Sequence, residues 1–122
     1  MHERMRLITE HGKQILFVDL SNCSADKVQD IARAVPDYVT AQPLRSVLVL
    51  VDFTGASLDS EAVRVMKESA VFDKPFIKKS AWLGAVYIPK EFRAEISSFS
   101  GRDLPSFRTR HEALTWLLED EK

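Results

Sequence analysis

Apolar and polar positions switch repeatedly between two periods along this chain. Leu7-Ile8-Thr9 and Gln14 to Leu20 are strand-like runs flanking Glu10-His11-Gly12-Lys13, a pattern that predicts a hairpin closed by a Gly-containing turn. The second run, Ile15-Leu16-Phe17-Val18-Asp19-Leu20, is apolar on both faces and belongs inside a sheet. Ser24 then offers a hydroxyl to cap a helix, and Asp26 suits the positive end of its dipole. Val28, Ile31, Ala32 and Val35 recur at helical spacing, and Pro36 weakens the end of that helix.

The least ambiguous element is Val47-Leu48-Val49-Leu50-Val51, short, β-branched and apolar on both faces. It predicts a fully buried central strand, parallel to its neighbours. Asp52-Phe53-Thr54-Gly55-Ala56-Ser57 is the loop at its carboxyl end. A helix is predicted from about Asp59 to Phe72, with Ala62, Met66, Ser69 and Ala70 on one face and Pro75 just beyond. Ala81 to Ile88 reads as a third core strand with Gly84 inside it, and Trp82 as core. Pro89 opens a short helix carrying Phe92, Ile96 and Phe99, Ser100 to Asp103 form a turn, and Phe107 sits in a short last strand. Thr109 and Glu112 have capping-box spacing, in which each side chain caps the other's amide. Ala113, Leu114, Leu117 and Leu118 are the buried face of the last helix, and Glu119-Asp120-Glu121 a solvated tail.

The resulting order is ββαβαβαβα. Strands alternating with helices over short connections imply a mixed, mostly parallel sheet with an N-terminal hairpin and helices packed on it. At 122 residues the chain is one domain, 1–122, long enough to bury a core without staples.

Composition narrows the function by exclusion. Apolar residues make up 45% and charged residues 29%, a soluble globular mix. Seventeen basic against eighteen acidic residues leave a net charge of -1, which argues against bulk-charge binding to nucleic acid. The longest apolar run, Val47 to Val51, is far too short for a membrane span, and the charged N-terminus lacks the apolar core of a signal peptide. The single cysteine, Cys23, has no internal partner, so the expected compartment is the cytoplasm. No metal-ligand spacing, nucleophile elbow or phosphate loop is present, so neither a metal nor a cofactor is expected and the chain is read as non-enzymatic.

Three features remain as candidates. Asp19 and Asp52 end core strands, where open parallel sheets place their ligand crevices; the alternative is that each shapes its own turn. Lys74-Pro75 and Asp52 mimic a phospho-acceptor receiver, but such a domain carries an acidic pair after its first strand, and only Asp19 is available. Residues 74–110 hold eight basic against three acidic residues, so Lys78, Lys79, Arg102 and Arg108 form either an anion-binding face or an ordinary solvated one.

The strand-end loop Val51-Asp52-Phe53-Thr54-Gly55, together with Lys74 to Ala81, Phe99 to Leu104 and Phe107 to Leu117, resembles the STAS domain, the fold of anti-sigma-factor antagonists. More closely, it is similar to the small bacterial SpoIIAA-like proteins, also described as STAS/SEC14-like. The resemblance runs over nearly the whole chain. Antagonist domains carry Asp-Ser-Ser-Gly at this loop, with the second Ser phosphorylated. Asp52, Thr54 and Gly55 match that pattern, Phe53 departs from it, and Ser57 extends a loop longer than the family's.

The resemblance implies a regulatory protein-interaction module, switched by phosphorylation within the loop that carries Asp52, Thr54, Gly55 and Ser57, with Thr54 as the acceptor and a kinase or anti-sigma-like protein as partner. The alternative it implies is a small-ligand or lipid-binding protein. Thr54 could also simply close a turn. Open sheet edges and Phe72, Phe76 and Phe92 as exposed apolar surface lead to the expectation of a homodimer.

Overall fold

The structure, a computed structural model, describes residues 1–119, so Asp120 and Glu121 of the expected acidic tail lie outside the described residues. The chain runs β1 (Met5–Glu10), β2 (Lys13–Asp19), α1 (Ala25–Val39), β3 (Val47–Asp52), α2 (Ser60–Asp73), β4 (Ile77–Leu83), α3 (Lys90–Ser100), β5 (Ser106–Phe107) and α4 (Arg110–Leu118). This is the predicted ββαβαβαβα order. The strands form one mixed five-stranded sheet in the order β1-β2-β3-β4-β5. β1 is antiparallel to β2, and every other neighbouring pair is parallel. His11 and Gly12 close the hairpin with φ of 50° and 77°, the paired positive values that match the twist of a tight hairpin.

The monotonic order dictates the layers. Right-handed crossovers that always advance in one direction deliver each connecting helix to the same face. Val28 and Ile31 of α1, Ala62 and Val63 of α2 and Ile96 of α3 therefore share one core with Leu16, Val18, Val49 and Trp82. α4 follows the last strand, crosses nothing, and covers the other face. Its Ala113 and Leu117 pack on Ile15, Phe17, Leu48, Leu50, Ala81 and Leu83. The alternation of strand side chains between faces explains why β2 and β3 are apolar throughout.

Several local expectations change. Val47 to Leu50 are buried, but Val51 is only half-buried. α1 does not weaken at Pro36; it runs to Val39, because Ser69 of α2 donates to the Ala32 carbonyl that Pro36 cannot reach with an N–H. β4 starts at Ile77 and stops at Leu83, since Gly84 at φ 73° turns the chain into a 3-10 turn, Ala85–Tyr87. The capping box is half formed: Thr109 Oγ1 accepts from the Glu112 amide, whereas Glu112 Oε1 receives the Thr109 hydroxyl and not its amide. Of the three phenylalanines expected on the surface, only Phe72 is bare, at 67% exposure; Phe76 and Phe92 pack against the core. Phe99 of α3 is exposed instead, with Lys67 Nζ 5.1 Å from its ring centre. No helix among the described residues is long and apolar enough to cross a membrane.

Candidate functional site

The loops at the carboxyl edge of the sheet are laced side by side. The Leu20 amide donates to Asp52 O at 2.9 Å, the Asn22 amide to Thr54 O at 2.8 Å, and the Ser57 amide to Cys23 O at 2.9 Å. On the other side, the Phe53 amide donates to Leu83 O at 2.9 Å. Phe53 is buried, its ring centre 4.6 Å from that of Trp82, so the position that departs from the antagonist motif anchors the loop in the core.

Thr54 sits exposed on this frame. Asp52 Oδ1 accepts both its amide, at 2.9 Å, and its hydroxyl, at 2.7 Å. The carboxylate thus closes the turn, the local role that was one of the two expectations, and at the same time faces the Thr54 hydroxyl. Gly55 has φ of 71°, but the space beside it is not open: a Cβ there would overlap Asn22 Oδ1. Gly84 packs against the same loop, where a Cβ would lie 2.6 Å from the Thr54 nitrogen. Beyond Thr54 lies a groove of about 500 Å³ walled by Asp52, Val86, Tyr87, Phe107, Arg108 and Arg110. Val86 is 91% exposed.

Asp19 and Asp52 are register partners on β2 and β3, yet they line no shared crevice. A crevice of that kind forms where strand order reverses, and this order never does. Asp19 is held locally instead, by Arg4 Nη1 at 3.2 Å and the Ser21 amide at 3.0 Å. Partial burial opposes ionisation of its carboxyl, but the Ser21 and Arg4 bonds hold it below the usual carboxylate range.

The basic candidates divide between the two ends of the sheet. Arg108 follows β5 at the carboxyl edge, in the Thr54 groove. Lys78, Lys79 and Arg102 line a second groove of about 700 Å³ at the amino ends of β3 and β4, together with Arg45 and Lys74. They cannot converge with Arg108, because β4 runs between the two ends. Lys79 is already engaged: its Nζ donates at 2.8 Å to the Trp116 and Glu119 carbonyls at the end of α4 and lies 4.9 Å from the Trp116 ring centre. Lys78 is freed by a register slip, with Val47 opposite Ile77 but Leu48 opposite Lys79, so that Lys78 has no opposite residue on β3.

One feature gave no sequence signal. Asp73, the last residue of α2, is 4% exposed in an apolar cavity of about 80 Å³ between the sheet, α2 and α3. An acidic residue ending an amphipathic helix reads as solvated, and only the fold turns it inward. Val86 and Tyr87 carry no sequence signal of their own, because the apolar pattern runs from Ala81 to Ile88 without a mark at Gly84, where the chain turns.

Elsewhere, Cys23 is buried, which pushes its thiol up and leaves it unreactive. Among the described residues no group of three or more His, Cys, Asp or Glu could hold a metal ion. Searches against protein-family models and against curated proteins find no match to the chain.

Proposed function

We propose that the chain is a non-enzymatic regulatory interaction module of the SpoIIAA-like STAS kind, which offers the carboxyl edge of its sheet to a partner protein and is switched at Thr54. The observation that carries the reading is Val86, 91% exposed beside Tyr87 on the rim of the groove that holds Thr54. Two adjacent apolar side chains left bare on a hydrogen-bonded frame form a contiguous patch, which marks a contact surface where a single exposed residue would not. The frame keeps the hydroxyl presented in one orientation, so a partner meets a preorganised surface.

Phosphate on Thr54 would add roughly −1.5 to −2 charge within reach of Asp52 and displace the hydroxyl's bond to it. Repulsion between the two anions would reshape the turn, while Arg108 and Arg110 supply cations in the same groove. The switch therefore acts on partner binding more than on stability, because the loop is exposed.

The test is partner retrieval by wild type, Thr54→Ala, Thr54→Glu and Val86→Asp. The reading expects Thr54→Ala to keep the partner and both other variants to lose it, with phosphate found on Thr54 in cells. Identical retrieval by all four, with no phosphate on Thr54, removes it. Self-association belongs to the same reading, with the exposed Val71 and Phe72 of α2 as its surface. Light scattering at the monomer mass at high protein concentration would remove that part.

A further inference from the structure

Independently of the partner reading, we propose that the cavity holding Asp73 binds a small hydroxylated organic anion, a short hydroxycarboxylate or hydroxylated phosphate ester. Its acidic group is held at the mouth by Arg102, Lys74 and Lys78, and its hydroxyl donates to Asp73. The first observation is an unmet acceptor. Asp73 Oδ1 is buried with no hydrogen-bond partner, and buried polar atoms without partners are rare in folded proteins. Its position makes matters worse, because the end of a helix is the wrong pole for a negative charge.

Arg102, on the turn after α3, is the charge that faces Asp73, but it does not bond to Oδ1; its Nη1 reaches only the Ala70 carbonyl, at 3.5 Å. Ser80 of β4, also buried, lines the same space. Burial pushes the Asp73 carboxyl up to about 7, and Arg102 pulls the other way. Near neutral pH the group is therefore divided between its protonated and ionised forms, and each keeps an oxygen that can accept a hydrogen bond.

The second observation is what lies outside. Ile77, Ser80 and Arg102 line both the cavity and the basic groove, so the two adjoin at these residues. The groove adds Lys74, Lys78 and Arg45 against a single acid, Asp103. Gly101 makes room for the Lys74 ammonium, which lies 2.9 Å from where a Cβ would stand.

These features select the ligand. A rim this basic repels cations and draws anions, so the donor that satisfies Asp73 must be a neutral O–H on a molecule whose charge stays at the rim. Volume sets the tail: about 80 Å³ is near half of the roughly 150 Å³ that takes benzene. A fatty acyl chain does not fit, which separates this site from the lipid-binding alternative.

The experiment titrates the full chain with two pairs of probes, 2-hydroxybutyrate against butyrate and glycerol 3-phosphate against propyl phosphate. Calorimetry gives the affinities, and amide shifts map the site. At least one hydroxylated probe should bind about tenfold tighter than its deoxy partner, the worth of one hydrogen bond to a buried acceptor otherwise left unmet, and should shift the Ser80 and Trp82 amides. The pair that discriminates identifies the acidic group. Asp73→Leu should erase the preference while leaving anion affinity, and Arg102→Gln should weaken both members of the pair. Should Asp73→Leu fail to fold, Asp73→Asn, with a neutral acceptor, should reduce the preference several-fold. Equal affinities within each pair, no binding at roughly millimolar concentration, or shifts confined to the rim lysines would overturn the proposal and leave a cavity that holds water only.

Discussion

The hydroxyl of Ser69 donates at 2.8 Å to the carbonyl of Ala32, the acceptor that Pro36 leaves without its helical partner. A proline inside a helix removes one backbone donor and ordinarily bends or ends the helix. Here the donor comes from the neighbouring helix, so the defect in α1 becomes the bond that fixes α2 against it.

A double-mutant cycle tests this. Ser69→Ala should cost about 1–2 kcal/mol, since it strands a part-buried carbonyl. In a Pro36→Ala background the restored amide can serve Ala32, and the cost should fall to less than about half of that. Urea denaturation of the four proteins gives the coupling. Equal costs in both backgrounds would mean that Ser69 acts only by filling space.

Asp73 should make stability depend on pH in a direction unusual for a carboxyl. Its folded value, about 7, lies above the ordinary 3.8, so between these limits the folded chain holds a proton that the unfolded chain has lost. Stability from this group is therefore present in full below 3.8 and is lost as pH rises through about 7. Asp73→Asn has no such proton. Its unfolding free energy relative to wild type should rise by a few kcal/mol across that window and level off above it. Taking the difference removes the opposite trend from Asp19, whose carboxyl is held low. A difference that stays flat with pH would show that Asp73 is not desolvated.

Lys79 and Lys78 are adjacent in sequence and differ in role. Lys79 Nζ donates to the Trp116 and Glu119 carbonyls at the end of α4, where a helix runs short of its own donors. Lys79→Met keeps the aliphatic stem over Trp116 and removes the donor. It should cost about 1–2 kcal/mol and release amide protection first in α4, with anion binding in the basic groove weakened less than by Lys78→Met. Lys78→Met should do the reverse, weakening anions and sparing stability. Identical behaviour of the two variants would contradict the bulge that separates them.

The layers of this fold were legible because burial on both faces leaves a direct mark. Leu16 and Val18 serve one core while Ile15 and Phe17 serve the other, so β2 could be nothing but an interior strand. Caps were legible too, since Ser24 accepting from the Lys27 amide is a local event. The candidate site was legible only at Asp52 and Thr54, whose bonds span two residues. What joins the rest is not local. The register slip at Lys78 depends on how β4 meets β3, the inward turn of Asp73 on where α3 lies, and the split of the basic residues on the length of a strand. Pattern along the chain carries none of these.

The laced edge makes a last, quantitative demand on Gly84. Its φ of 73° lies in the left-handed region, which costs a residue with a Cβ about 1–2 kcal/mol. A Cβ there would also stand 2.6 Å from Thr54 N and 3.0 Å from Phe53 C. Both are backbone atoms, so no side-chain rotation relieves the overlap, and Phe53 is pinned beneath by Trp82. Gly12 supplies the control: its φ is 77°, but a Cβ there would meet nothing within 4 Å. Gly12→Ala should therefore cost only the conformational part, about 1–2 kcal/mol, and Gly84→Ala should exceed it by at least about 1 kcal/mol. The excess should be visible at the site. The Thr54 amide, bonded to Asp52 Oδ1 at 2.9 Å, should shift and lose exchange protection in Gly84→Ala and stay unchanged in Gly12→Ala. Equal costs, or an undisturbed Thr54 amide in Gly84→Ala, would show that the β3–α2 loop gives way freely, and the preorganised surface proposed around Thr54 would lose its basis.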